Sequence, residues 1–262
     1  MNYKLLFPTY RNRYLFIKNS LKKYGNSRPF DSALNLGTGE GDYDPMIAGG
    51  CKKLISCDIN EGDIAFASHM NAHVKNLEYK IEDALNLSFP ESKFHLVVSV
   101  DVMEHVGQPK RMTEEIARVL RTGGMAFVTF PQTNFPWTYD PINSLLGKRA
   151  IGQGAYAFGH EYLVDPQQFR AWAKGFGLEV LEEKNLSGHL VALLEMYWTG
   201  IIQRLFKSNA GNVSEGQGKK ALRPSTKAPF LVKLTDAVVR LDRFFFGKSK
   251  YSVGKGFVLR KN

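Results

Sequence analysis

Three glycines at alternate positions, Gly37, Gly39 and Gly41, directly follow an apolar run at residues 33–36. This pattern predicts a buried strand that ends in a tight loop, where glycine lets the backbone approach a bound molecule closely. A helix predicted to begin near Asp44 would direct its free N–H groups outward beyond the loop. Such a turn is typical of a site that holds a nucleoside-like molecule above the end of a parallel sheet. The alternative is a glycine-rich turn without a ligand.

The spacing of these glycines distinguishes between classes of cofactor. A dinucleotide fingerprint needs its third glycine at position 42, where this chain has Asp42. A carboxylate is a poor neighbour for a pyrophosphate, so we expect a cofactor without phosphates. Asp58 lies about twenty residues after the first glycine, where an acid accepts hydrogen bonds from a ribose. Its alternative role is to cap the helix that begins near Glu61.

Strands and helices alternate around these residues. Short apolar runs predict the strands, and apolar residues at helical spacing predict the helices. The predicted strands are 33–36, 53–59, 77–81, 94–100, 125–130, 178–181 and 254–260, and the predicted helices include 10–24, 61–73 and 111–120. The glycines at 123 and 124 are predicted to close the last of these helices. The alternation indicates an α/β fold.

The ordered set of motifs resembles the class I S-adenosylmethionine-dependent methyltransferases, in particular the small-molecule branch that includes quinone-biosynthesis enzymes. The motifs are 35–41, Asp58, 83–84, 94–106 and 119–124, and they cover about residues 30–132. The resemblance implies a Rossmann-like seven-stranded sheet with six parallel strands, an antiparallel seventh strand and helices on both faces.

The resemblance also implies how S-adenosylmethionine is held. Backbone groups of Gly37 and Gly39 would contact its methionine part, which Asp101 would also line. Asp58 would bind the ribose hydroxyls, and the adenine would lie against residues 83–84. The expected cofactor-binding residues are Asn35, Gly37, Thr38, Gly39, Gly41, Asp58, Ile59, Asp83, Ala84 and Asp101.

Asn35 is a departure from the family, whose first motif usually begins with an acid. An amide still offers an acceptor oxygen to an ammonium group or a water molecule. We therefore expect the cofactor to bind at this site, but more weakly than in relatives that carry the acid.

Histidines are the candidate catalytic residues. Methyl transfer is an in-line displacement, so the enzyme must align the reactants and exclude water, and a hydroxyl acceptor also needs a general base. His160 is the first candidate because it lies in the aromatic-rich segment 133–160, which is predicted to form a substrate lid. His105 and His189 are the other candidates.

A metal-assisted reaction is an alternative that the resemblance to some quinone O-methyltransferases allows. Asp101, Glu104 and His105 would then supply oxygen and nitrogen ligands. His69 and His73 lie four residues apart but have no third ligand nearby in the sequence, and our expectation is a site without metal.

Residues 187–250 form a predicted helical, basic insertion before the last strand, so that 1–186 and 251–262 make up the cofactor-binding domain. The insertion has apolar helical segments at 190–206 and 230–246, joined by a polar linker at 207–229 that we expect to be mobile. On the second segment, one face carries Leu231, Leu234, Val238, Leu241 and Phe245, with basic residues among the other positions. This pattern indicates a membrane surface or an anionic partner. The alternative is that both segments only cover the pocket and each other.

The charge of the chain is concentrated near its end. Residues 207–262 hold 13 Lys and Arg against 3 Asp and Glu, and this excess of ten equals the net charge of the whole chain, +10. Neither a secretory signal nor a spanning helix is predicted. Cys51 and Cys57 fit neither a disulfide framework nor a zinc site, and we expect buried, reduced thiols. These features predict a cytoplasmic location, with association at a membrane surface.

The sequence therefore predicts a methyltransferase that O-methylates a small apolar or lipid-linked acceptor near a membrane. A second hypothesis is an RNA methyltransferase that uses the basic C-terminal region. Because segment 230–246 is poor in exposed stacking aromatics, we do not expect a nucleic-acid partner. A third hypothesis is a non-catalytic protein that binds S-adenosylmethionine at a membrane surface.

Overall fold

The computed structural model describes residues 2–25, 28–133, 162–194 and 226–262. At its centre is a seven-stranded sheet in the order β3-β2-β1-β4-β5-β7-β6. The strands are β1 (Phe30–Leu36), β2 (Cys51–Asp58), β3 (Leu77–Ile81), β4 (Phe94–Val100), β5 (Leu120–Pro131), β6 (Leu178–Leu186) and β7 (Gly254–Lys261). Strands β1 to β5 pair in parallel, whereas β7 runs antiparallel to both β5 and β6. The predicted sheet of six parallel strands and an antiparallel seventh is confirmed.

Six helices with both ends in the described ranges accompany the sheet. They are α1 (Pro8–Tyr24), α2 (Asp44–Ala48), α3 (Glu61–Met70), α4 (Pro109–Val119), α5 (Pro166–Gly175) and α6 (Val232–Phe246). Two of them begin at a side-chain cap: the side chain of Asn60 accepts from the Asp63 N–H at the start of α3, and that of Asp165 accepts from the Gln167 N–H at the start of α5. Short 3₁₀ turns lie at Tyr3–Leu6 and Met103–His105, and residues 189–194 are also helical.

The core lies on both faces of the sheet because the central strands alternate their side chains between the two. Leu34 and Leu36 of β1 pack in the cluster beneath α4 and α5, whereas Ala33 packs in the cluster beneath α1 and α2. Residues of a strand that point to opposite faces can all be buried only where helices cover both faces. The central position of β1 and β4 therefore explains their continuous apolar runs.

Several bounds differ from their predictions, and the start of β5 is the difference with an identifiable cause. The glycines at 123 and 124 do not close α4, which ends at Val119; they belong to β5, which begins at Leu120 rather than at 125. Leu120 pairs with Phe94 across the sheet, and the register of that pairing then shifts before Leu96. A pairing partner 26 residues away is invisible to a local helix-ending rule, which explains the wrong prediction.

The two cysteines behave as predicted. Cys51 and Cys57 are buried and reduced, and burial raises the pKa of Cys51 to about 12. A thiol that keeps its proton at neutral pH is a weak nucleophile and metal ligand.

Several predicted segments lie outside the described residues: nearly all of the lid segment 133–160, most of 190–206 and nearly all of the linker 207–229. Within the described ranges, none of the helices combines the length and the hydropathy needed to cross a membrane.

Candidate functional site

A cavity of about 820 Å³ opens where β1, β2 and β4 end. In the strand order, β1 has β2 on one side and β4 on the other, so the chain reverses its direction of crossing at this point. Open α/β sheets bind their ligands at such a switch point. The predicted cofactor-binding residues that line the cavity are Asn35, Gly37, Thr38, Gly39, Asp58, Ile59, Asp83, Ala84 and Asp101. The lining does not include Gly41.

The carboxylate of Asp58 is fixed at the cavity by two backbone groups. Its Oδ2 accepts from the Gly39 N–H at 2.8 Å, and its Oδ1 accepts from the Asn60 N–H at 3.0 Å. Gly39 has a φ of +52°, and a Cβ added there would meet no atom within 4 Å. The glycine therefore exposes its backbone to open space beside a preoriented carboxylate, which is the arrangement expected of a ribose-binding acid.

Gly41 is required for packing. It has a φ of +79°, and a Cβ at this position would come within 2.9 Å of the Ala67 Cβ and of the Tyr79 hydroxyl. Gly41 thus lets the loop close against α3 and β3, behind the cavity wall.

Asn35 takes part in a buried polar cluster that the sequence did not reveal. Its amide donates to Asp44 Oδ1 at 2.7 Å and to Thr38 Oγ1 at 3.1 Å. Asp44 is fully buried, and its carboxylate also accepts from the hydroxyls of Thr38, Ser56 and Tyr79. Burial raises the pKa of Asp44, and these four donors offset part of the rise. The signal in the sequence that could have revealed this cluster is an amide at position 35 followed, nine residues later, by an acid at the start of α2.

The N-terminal segment also contributes to the site, which sequence patterns did not indicate. Lys4 lines the cavity and forms ion pairs with Glu40, at 3.3 Å, and with Asp42, both on the glycine loop. The rings of Tyr10 and Tyr43 pack with centroids 5.1 Å apart. The start of the chain therefore packs on the loop that borders the cavity.

The end of β4 brings acidic groups together beside the cavity. Asp101 has a φ of +52°, and its Oδ1 accepts from Thr129 Oγ1 at 2.8 Å. Its Oδ2 forms an ion pair with Arg13 of α1. Glu104 is buried, and within the described chain its Oε2 has no hydrogen-bond partner. Burial and, to a smaller extent, the neighbouring Asp101 hold the pKa of Glu104 well above its usual range.

This arrangement does not fit the metal-assisted alternative. In the part of the chain that the structure describes, no three potential ligand residues converge to hold a metal ion. The guanidinium of Arg13 already lies against Asp101, so a divalent cation bound to this carboxylate would face a positive charge at short range.

The histidines separate into three cases. His105 lines the cavity. His189 packs against the ring of Phe246 with centroids 5.0 Å apart and is not part of the cavity wall. His160, the first candidate from the sequence, lies outside the described residues.

Comparison with known proteins decides the class of enzyme. A family described as "Methyltransferase domain" matches residues 34–128, the stretch that runs from β1 to β5 and supplies most of the cavity wall. This protein is a class I S-adenosylmethionine-dependent methyltransferase. Its cofactor is S-adenosylmethionine, as the motifs predicted, and the open glycine loop beside Asp58 fits that cofactor.

Relatives of the methyltransferase include quinone-biosynthesis enzymes. It is 23% identical over 158 residues to the ubiquinone biosynthesis O-methyltransferase of Coxiella burnetii (strain Dugway 5J108-111), which covers 60% of this chain and 67% of that protein. It is 25% identical over 172 residues to the demethylmenaquinone methyltransferase of Clavibacter sepedonicus, covering 61% of this chain and 70% of that protein.

A solved structure supports the fold. Phosphoethanolamine N-methyltransferase 2 of Haemonchus contortus, in complex with S-adenosyl-L-methionine, matches with a TM-score of 0.59 and 18% identity. The match covers 95% of this chain and 52% of that one.

Proposed function

We propose that this methyltransferase O-methylates a small apolar or lipid-linked acceptor at an anionic membrane surface. One relative is named a ubiquinone biosynthesis O-methyltransferase, and another is named a demethylmenaquinone methyltransferase. Apolar side chains of Val102 and Val106 line the cavity beside His105. These groups suit an apolar ring that carries a hydroxyl.

The proposed orientation of the cofactor follows from the polar groups of the cavity. Asp58 accepts hydrogen bonds from the ribose, and the loop at 83–84 borders the adenine. The methionine part lies between the glycine loop and Asp101. When bound, S-adenosylmethionine supplies the electrophilic methyl group. In this orientation the acceptor lies next to His105, which also lines the cavity.

His105 is the proposed general base within the described chain. A hydroxyl becomes a better nucleophile when a neighbouring base takes its proton, and an imidazole suits this role at neutral pH. His105 lies in the turn Met103–His105 directly after β4 and borders the cavity. His160 stays a predicted alternative, since the segment that carries it lies outside the described residues.

The exposed face of α6 supports the membrane part of the proposal. Three of its apolar side chains, Leu234, Phe244 and Phe245, are 70%, 82% and 62% exposed, and Leu241 on α6 and Leu231 just before it are exposed too. Exposed cations lie among them and just beyond the helix, namely Lys233, Arg240, Arg243, Lys248 and Lys250. Apolar side chains interleaved with cations suit a surface that is apolar below and anionic above, as a bilayer of acidic lipids is.

Polar contacts explain why α6 keeps its apolar row outside. On its inner face, Asp242 accepts backbone N–H bonds from Gly188, Leu190 and Val191, and Asp236 forms a two-point ion pair with Arg11 of α1. Carboxylates with several N–H donors are satisfied when buried. These acids anchor the helix on its inner side, and Leu234, Leu241, Phe244 and Phe245 face solvent.

The same face supports RNA methylation as a second candidate. The sequence argument against nucleic acid was a shortage of exposed aromatics, but Phe230, Phe244 and Phe245 are all exposed. Exposed aromatic rings beside cations are also the groups that bind single-stranded RNA.

Labelling of natural acceptors tests the proposal. The protein is incubated with methyl-labelled S-adenosylmethionine and, in parallel, with a total lipid extract and with total RNA. We expect label in the organic phase as a methyl ether that resists mild alkali, and loss of labelling in Asp58→Ala. Label in RNA supports the second candidate, and label on nitrogen or carbon of a lipid contradicts O-methylation. A protein that binds adenosylhomocysteine but labels neither extract contradicts both candidates.

A further inference from the structure

The guanidinium of Arg13 lies beneath the wall of the cofactor cavity. Arg13 belongs to α1 and is only 4% exposed. It forms an ion pair with Asp101 Oδ2, whereas Asp101 Oδ1 accepts from Thr129 Oγ1 at 2.8 Å. The backbone N–H of Asp101 also donates to the Thr129 carbonyl, at 3.0 Å. Asp101 borders the cavity, but Arg13 does not.

The fold makes room for this arginine. A Cβ added to Gly254, the first residue of β7, would come within 2.9 Å of Arg13 Nη2 and 3.2 Å of the Phe130 carbonyl. A side chain at position 254 would therefore displace the guanidinium. Elements far apart in the sequence, α1, β4, β5 and β7, thus meet around one ion pair.

We infer that Arg13 is a positioning residue for the cofactor: it holds the carboxylate of Asp101 at the methionine end of the cavity and takes the place that a divalent metal ion would need. A carboxylate has about four lone-pair sites. Thr129 uses one of them and the charge of Arg13 lies against the other oxygen, which leaves acceptor sites for the ammonium group of the cofactor. Because a guanidinium stays charged at any working pH, the support does not depend on pH or on a supply of metal. The inference rests on the proposed orientation of the cofactor.

Two ligands separate a positioning role from a structural one. Adenosylhomocysteine carries the amino-acid part that would meet Asp101, whereas methylthioadenosine has the same adenosine part and lacks the amino acid. Arg13→Met removes the charge and keeps much of the apolar volume. Arg11→Met is the matched control, since Arg11 is a buried arginine of the same helix whose partner, Asp236, lies on α6.

Calorimetry with the full chain gives the decisive numbers. In Arg13→Met we expect adenosylhomocysteine to bind about tenfold more weakly, equivalent to about 1.4 kcal/mol, and methylthioadenosine to bind as in the wild type. Arg11→Met should change neither ligand. Unchanged adenosylhomocysteine binding in folded Arg13→Met, or equal weakening of both ligands, overturns the inference. If Arg13→Met does not fold by circular dichroism, Arg13→Lys is judged by the same ratio of the two affinities.

A metal arm completes the test. We expect EDTA and added Mg²⁺ to leave adenosylhomocysteine binding by the wild type unchanged. The inference is overturned if the wild type loses adenosylhomocysteine binding with EDTA and regains it with Mg²⁺, while binding by Asp101→Asn does not respond to Mg²⁺. All these measurements use binding and do not depend on the acceptor. A wild type that binds adenosylhomocysteine but labels no lipid therefore contradicts the proposed acceptor, whereas the role of Arg13 is decided by the binding measurements.

Discussion

The side-chain amide of Asn35 donates a 2.7 Å hydrogen bond to the carboxylate of Asp44, nine residues further along the chain. Both side chains are buried. The family's first motif usually carries its acid at the position of Asn35, and here a buried acid lies on α2 instead. The amide at position 35 is therefore the complement of a carboxylate that faces it. Asn35 is part of a satisfied cluster, and the departure from the motif is balanced within the fold.

Exchange of the two groups tests this complementarity. Asn35→Asp places two carboxylates within hydrogen-bond distance of each other, and we expect the free energy of unfolding to fall by about 3 kcal/mol because one buried charge is left uncompensated. The double variant Asn35→Asp with Asp44→Asn restores one acid and one amide, and should recover most of the loss. Urea denaturation measures both. A double variant no more stable than Asn35→Asp alone would contradict the pairing.

The sequence predicted those parts of the fold that local patterns determine. The strands Leu77–Ile81 and Phe94–Val100 have the predicted bounds, because an apolar run between turn residues marks a buried strand directly. The start of β5 at Leu120 was not predicted, since it depends on pairing with Phe94 in another strand. Periodicity reports which residues are buried, but it does not report which strand lies alongside.

The candidate site divides in the same way. The glycine loop and Asp58 are separated by a fixed βαβ spacing, so their convergence follows from the chain order. Lys4 and Arg13 reach the site from the N-terminal segment, and their partners Asp42 and Asp101 lie 38 or more residues away. No spacing rule links a basic residue of a leading helix to an acid at the end of β4. Such contacts appear only once the helix is placed on the sheet.

Asp58 is expected to dominate binding of the adenosine part. Asp58→Ala removes the proposed acceptor for two ribose hydroxyls, and we expect adenosylhomocysteine to bind about 100-fold more weakly, since a hydrogen bond to a charged group contributes about 1.5 kcal/mol. Glu61→Ala is the control, because Glu61 is an exposed acid three residues away that does not line the cavity. Calorimetry measures both variants. NADH should not compete, and a protein that bound NADH more tightly than adenosylhomocysteine would refute our interpretation of the glycine spacing.

Glu182 makes a pH-dependent contribution to stability. It accepts from the Tyr24 hydroxyl at 2.5 Å and pairs with Lys184 at 2.7 Å and with Lys23. Burial raises the pKa of Glu182, but the hydrogen bonds from Lys184, Lys23 and Tyr24 outweigh it and lower the pKa to about 2. A lowered pKa in the folded state stabilises the protein at a pH above the unfolded value of about 4.3 and ceases to do so as the pH falls toward the folded value.

Glu182→Gln isolates this contribution. At pH 7 we expect the variant to be less stable than the wild type by about 1 kcal/mol, because solvent screens ion pairs at this edge of the sheet. The difference should shrink as the pH falls from about 4.3 toward 2. Denaturation series at several pH values measure it. A difference that stayed constant through that range would show that the carboxylate acts by shape alone.

The two faces of α6 are expected to respond in opposite ways. Val239 is buried against the body of the protein, so Val239→Ala should lower the free energy of unfolding by about 1–3 kcal/mol. Leu234 is 70% exposed, and Leu234→Ser should leave stability within about 0.5 kcal/mol.

If the exposed face binds membranes, Leu234→Ser combined with Phe245→Ser should reduce co-sedimentation with vesicles of acidic lipids, because the apolar area that enters the interface is lost. Val239→Ala, at a temperature where it is folded, should bind the same vesicles as the wild type. Equal binding of the wild type and the double serine variant, or equal binding to neutral and acidic vesicles, would argue that α6 meets another partner and that the membrane part of the proposal is wrong.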